Sequence, residues 1–178
     1  DQDAPHTFGQ LIVRSSETAV EELPQVSSVS LVDDGPVCTT LRIRSSASCL
    51  PRVTQEVTLY HDLKRIDVSA RILRDSTPMV ETYMAFPYQF EHPQFRFEAP
   101  ASVMEPLVDQ WPGSCTDYYG VQHWVDVFDC DGGVVWTALD TPMAEVGGLW
   151  PGYVSGAHHG VRGPGYGHPF LQPGELDR

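Results

Sequence analysis

The stretch VTQEVTLYHDLKRIDVSARIL, residues 53–73, alternates apolar and polar residues on both sides of a short polar break. Successive side chains of a β-strand point to opposite faces, so a period of two indicates strands with one apolar face. In the second half, the apolar positions are Ile66, Val68, Ala70 and Ile72. The residues between them should contact water: Arg65, Asp67, Ser69 and Arg71. The stretch therefore predicts two antiparallel strands that reverse at Asp62 and Leu63.

The same alternation recurs on both sides of this stretch, at roughly the 8–12-residue spacing typical of β-sandwiches. Residues 27–32 and 37–44 flank the turn-forming segment DDGP and predict a hairpin, and residues 81–88 and 94–99 predict further strands. The one plausible helical turn is SETAVEEL, residues 16–23, which could equally be a loop. The sequence thus predicts an all-β, antiparallel β-sandwich with little helix, formed by residues 1–178 as a single domain.

The clearest predicted hairpin joins residues 121–128 to residues 134–140 through the five residues DCDGG. If Phe128 pairs with Val134, one face presents five candidate carbohydrate contacts: Gln122, Trp124, Asp126, Trp136 and Asp140. Aromatic rings stack on the C–H face of a pyranose, and Asp and Gln side chains hydrogen-bond with its hydroxyls. The two tryptophans would equally serve as cross-strand packing under a neighbouring layer, and both interpretations stay open.

The other face of that strand carries His123 among three valines, which predicts a core histidine with one hydrogen bond. Glu81 and Glu98 lie in apolar strands and are expected to be buried carboxylates with a partner. An alternative function, that of a sugar epimerase, would use a His and a Glu together. A stand-alone mutarotase-like sugar epimerase needs a His and a Glu to exchange protons with the anomeric hydroxyl, and the candidates are His123 with Glu81 or Glu98.

The composition of the chain indicates which kinds of partner and which cellular setting to expect. The chain has 24 acidic and 11 basic residues, and its net charge of −13 would repel a phosphate backbone, which disfavours nucleic-acid binding. No apolar run approaches the ~18 residues that span a bilayer, so no membrane segment is expected. The four cysteines show no CxxC spacing, which disfavours a zinc cluster and favours free thiols in a cytoplasmic protein. Residues 147–178 are rich in Gly and Pro and predict a loop or partly disordered tail, whose histidines form no recognisable metal site.

Several segments, taken in order and spacing, resemble the C-terminal β-sandwich region of glycoside hydrolase family 38, the α-mannosidases. They are TLYHDLKRIDVSARI, ETYMAFPY, FRFEAP, DQWPGSCTDYYGVQHWVDV and TALDTPMAEVGG. The similarity runs from about Phe8 to Gly148 and begins with TFGQLIVR, in which Gly9 stands where the family's strand has Asn.

The resemblance implies a galactose-mutarotase-like supersandwich within a larger retaining α-mannosidase. In that family the zinc site and the catalytic Asp belong to an N-terminal α/β barrel domain, which has no counterpart in these 178 residues. The expected function is therefore a non-catalytic β-sandwich domain that supports the catalytic domain of the same polypeptide and lines its carbohydrate cleft. The resemblance implies no catalytic residue, metal ligand or cofactor in this chain. It implies mannose-containing carbohydrate as a further partner. The alternatives are the sugar epimerase and a carbohydrate-binding module.

Overall fold

The computed structural model describes residues 4–15, 18, 20–75, 80–111, 114 and 118–146. Within them every regular element is a β-strand and every strand pair is antiparallel, which confirms the predicted fold class. The chain divides into two compact units, Asp1–Pro87 and Tyr88–Arg178. The single domain over residues 1–178 stays a prediction, since one domain can contain two such units. The predicted tail, residues 147–178, lies outside the described residues.

Unit 1 holds two antiparallel sheets. Its strands are β1 (Gln10–Ser15), β2 (Glu21–Glu22), β3 (Gln25–Asp34), β4 (Cys38–Ala47), β5 (Leu50–Tyr60), β6 (Ile66–Leu73) and β7 (Val80–Ala85). Strands β3 to β6 pair in chain order, which confirms both predicted hairpins, and β1 lies between β2 and β7 in the second sheet. The segment expected as a helical turn or loop contains β2 instead, and the described part of the chain has no helix suited to crossing a membrane.

The four-stranded sheet of unit 1 has one apolar and one polar face. Residues paired across strands share a face, so Leu31, Leu41, Val57 and Val68 form one apolar row across all four strands. Among the described residues, the core of unit 1 covers one end of this apolar face, where Val53 is fully buried in a cluster that includes residues of β1. Six other side chains of the face are 40–60% exposed: Val29, Leu31, Leu41, Leu59, Ile66 and Ile72.

Gly9, in the turn just before β1, has a conformation that suits glycine. Its φ of +69° lies in the left-handed region, which Gly adopts without cost and Asn adopts more readily than most residues. Its backbone is held at both ends: Gly9 N donates to Ala85 O at 2.8 Å, and Gln55 Nε2 donates to Gly9 O at 2.8 Å. Either residue type therefore suits this turn.

Unit 2 also holds two sheets, built around an aromatic and aliphatic core. Its strands are β8 (Gln94–Ala99), β9 (Ser102–Met104), β10 (Tyr119–Gly120), β11 (Trp124–Phe128), β12 (Gly133–Thr137) and β13 (Met143–Ala144). One sheet has the order β12-β11-β8-β9, and the other pairs β10 with β13. The rings of Phe97 and Tyr119 meet at 5.1 Å in the core, which the buried Val121, Val125 and Val127 extend.

The register of the β11–β12 hairpin corrects the prediction by one residue. Phe128 pairs with Gly133 rather than with Val134, so Trp136 lies opposite Val125 instead of Asp126. This pairing leaves room only for glycine at position 133, because a Cβ there would approach the Phe128 Cβ to 2.8 Å. Shifting a register by one residue moves the side chains to the other face. Trp136 consequently packs against the unit 2 core and does not share a face with Trp124.

Candidate functional site

The candidate site is the outer face of the unit 2 four-stranded sheet, meaning the face opposite its core. In β11 the valines 125 and 127 are buried, and the alternating Trp124 and Asp126 are half-buried on the other side. In β8 the same alternation buries Phe97 and places its neighbours Arg96 and Glu98 outward. The outer face therefore brings four functional side chains onto one surface: Arg96, Glu98, Trp124 and Asp126.

One ion pair on the outer face joins the neighbouring strands β8 and β11. Asp126 and Arg96 are directly paired residues of β11 and β8, and Arg96 Nη2 donates to Asp126 Oδ2 at 3.1 Å. The guanidinium carbon of Arg96 also lies 4.2 Å from the centroid of the Phe128 ring. Stacking on the ring and bonding to the carboxylate fix the plane of the guanidinium. The pair thus presents an ordered set of N–H donors and carboxylate acceptors.

A second polar contact on the outer face joins His123 to Glu98. His123 Nδ1 lies 2.9 Å from Glu98 Oε2, and the histidine side chain is 59% exposed. The predicted core position of His123 is wrong, because the residue lies in a bend just before β11, where the alternation of the strand does not yet apply. The predicted single hydrogen bond is found, with Glu98 as partner. Glu98 is half-buried and partnered rather than fully buried.

The geometry of the outer face is suited to binding polar ligands with an apolar side. Each carboxylate is held by a basic side chain on an open sheet surface. Hydrolysis of a glycosidic bond requires two carboxyl groups that face each other across the bond, ~5 Å or ~6.5–9.5 Å apart according to mechanism. The half-buried Trp124 indole adds the stacking surface that pyranose rings use. The outer face therefore combines an aromatic surface with two carboxylates that each already have a hydrogen-bond partner.

The other predicted site residues do not share the outer face with Trp124 and Asp126. Gln122 is exposed in the bend before β11, where its backbone N donates to Glu98 O at 2.9 Å. Asp140 is exposed in the loop after β12, three residues beyond the last paired residue of the hairpin. Glu81 lies on β7 in unit 1, where it accepts a hydrogen bond from the Tyr83 hydroxyl at 2.7 Å. Of the five predicted contacts, Trp124 and Asp126 share the outer face.

Sequence reasoning missed Arg96 because its role depends on the pairing of β8 with β11. These strands are separated by 24 residues, and no local pattern reveals their register. The signal present in the sequence is the pair of opposite charges in FRFEA, Arg96 and Glu98, which alternate with phenylalanines. That pattern places both charges on one face and suggests partners on a neighbouring strand.

A second group of polar side chains lies in the β11–β12 loop. One ligand atom from each of Asp129, Cys130 and Asp131 lies within 4.8 Å of the others. Asp129 Oδ1 already accepts hydrogen bonds from the backbone N of Asp131 at 2.9 Å and of Gly132 at 3.2 Å. These bonds make Asp129 a turn residue. The thiols of Cys38, Cys49 and Cys130 are free, whereas Cys115 and the histidines of residues 147–178 lie outside the described residues.

Comparisons of this chain with protein-family models, curated proteins and solved structures find no match. The similarity to the α-mannosidases therefore rests on the sequence segments alone.

Proposed function

We propose that this chain is the non-catalytic β-sandwich region of a family 38-like α-mannosidase. In this role it binds mannose-containing carbohydrate on the outer face of unit 2 and supports the catalytic domain of the same polypeptide. The observation that carries the proposal is the outer face, where Trp124 shares one surface with the Arg96–Asp126 ion pair and the hydrogen-bonded His123 and Glu98. The catalytic Asp and the zinc of the enzyme would belong to the catalytic domain, and no residue of this chain is assigned to them.

The placement of the resembling segments supports the proposal. TLYHDLKRIDVSARI covers the end of β5, the turn and most of β6, ETYMAFPY covers most of β7, and FRFEAP covers most of β8. The segment that ends in HWVDV leads into β11 of the outer face. Segments that lie on strands and turns are typical of a shared scaffold. A wall that orients a sugar increases the rate of a reaction elsewhere in the cleft through remote binding energy.

The binding role is tested by tryptophan fluorescence during titration with mannose oligosaccharides. We expect a saturable change in the full chain, at concentrations up to roughly 50 mM, since exposed sugar sites bind at millimolar levels. Trp124→Phe should abolish this fluorescence change. The matched control is Trp111→Phe, which removes an indole that is 88% exposed in a loop of the same unit. An unchanged signal in the parent chain, or equal losses in both variants, contradicts the proposal.

The non-catalytic role is tested separately with p-nitrophenyl α-mannoside. We expect no hydrolysis by this chain, with or without added zinc. Measurable turnover that scales with protein concentration would show that the catalytic groups lie in this chain. The coding sequence upstream of this region gives an independent test, because the proposal requires an α/β barrel with zinc ligands in the same polypeptide.

A second candidate function is a mutarotase-like sugar epimerase, which the 2.9 Å contact between His123 and Glu98 favours. Proton exchange at an anomeric hydroxyl requires each of these two groups to reach the bound sugar. They are, however, bonded to each other, so a sugar would have to displace that contact. NMR exchange between the α- and β-anomers of glucose or galactose tests this candidate. No acceleration over buffer excludes it, and acceleration that is lost in His123→Gln supports it.

A further inference from the structure

The polar face of the four-stranded sheet in unit 1 carries a group of arginines at the end nearest the turn between β4 and β5. Arg44 and Arg71 are the partners of Thr54 on its two neighbouring strands, so the three side chains share this face. Arg52 precedes Thr54 by two residues on β5 and therefore lies on the same side. We call Arg44, Arg52 and Arg71 the arginine cluster. It spans three adjacent strands, and each member is exposed to solvent.

The positive charges of the arginine cluster are not neutralised by the sheet. In the part of the chain that the structure describes, none of the three guanidinium groups forms a hydrogen bond or an ion pair. Glu56, the next residue of β5 on this face, is already bound to Arg42 at 2.7 Å. Diagonal neighbours in an antiparallel sheet lie ~7–8 Å apart, so Arg52 is that close to the other two arginines, and like charges repel at this spacing. A chain with 24 acidic and 11 basic residues thus places three unpaired positive charges side by side.

The spacing of the cluster suits a tetrahedral oxyanion. Arg44 and Arg71 lie two strand spacings apart, or ~10 Å, and their side chains are long enough to meet over Thr54, whose hydroxyl is a further donor. Guanidinium groups bind oxyanions through paired N–H···O bonds. A carboxylate has two acceptor oxygens, which a single guanidinium can satisfy. A phosphate group has three terminal oxygens and up to two charges, and therefore matches a set of several guanidinium groups better.

We propose that the arginine cluster is a binding site for the phosphate or sulfate group of a small anionic ligand. The extent of the cluster limits the size of the ligand. Thr58 lies four residues beyond Thr54 on β5, or ~14 Å, and its partner there is Asp67, which Arg65 and Tyr60 bind. A polymer of phosphates that continued along the strand would meet this carboxylate and the net charge of −13, whereas a single phosphate or sulfate group would not.

NMR titration of the full chain tests the proposal, with the arginine side-chain Nε–H signals as reporters and glucose 6-phosphate as the ligand, at roughly 100 mM ionic strength. We expect saturable shifts at Arg44, Arg52 and Arg71, with a dissociation constant on the order of 1–10 mM, because charge pairs on an open surface are weak. NaCl at roughly 500 mM should raise this constant by at least about threefold. Glucose, which lacks the charge, should not shift these signals. Inorganic phosphate and sulfate distinguish the source: equal affinity assigns the site to the free anion, and tighter binding of the ester assigns it to an organic ligand.

Substitutions separate the cluster from the overall charge of the chain. Arg71→Gln should raise the dissociation constant by at least about threefold, and its combination with Arg44→Gln by at least about tenfold, because each guanidinium supplies charge-assisted hydrogen bonds. The matched control is Arg65→Gln, which removes the same charge from an exposed arginine already bound to Asp67. It lies farther from Thr54 than the ~10 Å screening length and should change the constant by less than about twofold.

Three results would overturn the proposal. They are no saturable shift at millimolar glucose 6-phosphate, equal weakening by Arg71→Gln and Arg65→Gln, and acetate binding as tightly as the phosphate ester, which would show that the cluster does not select a tetrahedral oxyanion. Because the substituted arginines are exposed, the variants should fold, and their circular dichroism should match that of the parent. The sugar titration reports on tryptophans of unit 2, whereas the arginine cluster lies in unit 1, so the two proposals fail separately.

Discussion

Unit 1 and unit 2 each contain a four-stranded antiparallel sheet, and they use its two faces in opposite ways. In unit 1 the apolar face is largely exposed, and the polar face is held by pairs such as Arg42 with Glu56. In unit 2 the apolar face is the core, with Phe97 and Val125 buried, and the outer face carries the ion pairs around Trp124. Alternation therefore determines which side chains share a face, whereas a second layer determines whether that face is buried.

The two units also differ in where burial concentrates. The unit 2 core extends along β8 and β11 and into the loops before β11 and after β13. The unit 1 core gathers β1 and the beginning of β5 at one end of its large sheet. Because stability follows the apolar area removed from water, the same kind of substitution should have different effects in the two units.

The largest effect is expected from Phe97→Ala in the unit 2 core. Phe97 is 4% exposed and stacks on Tyr119, so the substitution should lower the free energy of unfolding by ~3–5 kcal/mol. Urea denaturation followed by tryptophan fluorescence measures it, because all four tryptophans of the chain lie in unit 2. The control, Val135→Ala, is 62% exposed on the outer face and should cost less than ~0.5 kcal/mol. Similar losses for both would contradict the assigned core.

The next largest effect on the free energy of unfolding is expected in the covered part of the unit 1 sheet, and a smaller one in its exposed part. Leu50 is fully buried and Leu59 is 47% exposed, although both belong to β5. Leu50→Ala should lower the free energy of unfolding by ~2–5 kcal/mol, and Leu59→Ala by less than ~1 kcal/mol in the monomer. Far-UV circular dichroism at low protein concentration measures both. If Leu59→Ala costs as much as Leu50→Ala in the monomer, the apolar face is covered within the chain.

The sequence predicts most of the strands but little of the site. Residues 94–99 coincide with β8, and the hairpin of β5 and β6 follows from its alternation. The three-residue β9 is not predicted by the sequence, because three residues are too few to show a period. The exposure of Ile66 and Ile72 could not be predicted either, since it depends on which layer covers β6.

The site depends on features that a single strand does not contain. The register of β12, in which Gly133 lies close to Phe128, is not revealed by a five-residue turn pattern. The exposure of His123 follows from a bend one residue before β11 begins. Only Trp124 and Asp126 could be assigned to one face from alternation, because both lie inside the strand.

A smaller effect compares one ion pair from each unit. Arg96→Ala removes the bond to Asp126 and the contact with the Phe128 ring, and should cost about 1 kcal/mol. Arg42→Ala in unit 1 removes a cross-strand bond to Glu56 at 2.7 Å, at similar exposure, and should cost ~0.2–1 kcal/mol. Urea denaturation at low and high NaCl measures both. We expect salt to reduce the ion-pair part of each loss. A loss for Arg96→Ala that disappears at high salt would show that the ring contact contributes nothing.

The smallest effect concerns the covered end of unit 1, where β2 is tied to the turn between β4 and β5. The Glu22 carboxylate accepts hydrogen bonds from the Ser48 hydroxyl and from the Ser48 backbone N, the latter at 2.9 Å. These bonds favour the ionised carboxylate and lower the pKa of Glu22 below its ordinary value. Because the folded pKa is depressed, the stabilisation is present above the unfolded pKa and is lost as pH falls through the folded pKa.

Ser48→Ala should therefore reduce stability at pH 7 by no more than about 0.5 kcal/mol, since Glu22 is exposed to solvent. The difference from the parent chain should shrink as the pH falls from the ordinary pKa of a carboxyl group through the lower folded pKa of Glu22, below which the carboxyl group is protonated in both states. Urea denaturation at several pH values between 7 and 3 measures it, with Ser46→Ala as a control at an exposed serine of β4. A difference that stays constant with pH would show that the hydroxyl does not stabilise the ionised carboxylate, so that β2 is held by its pairing with β1 instead.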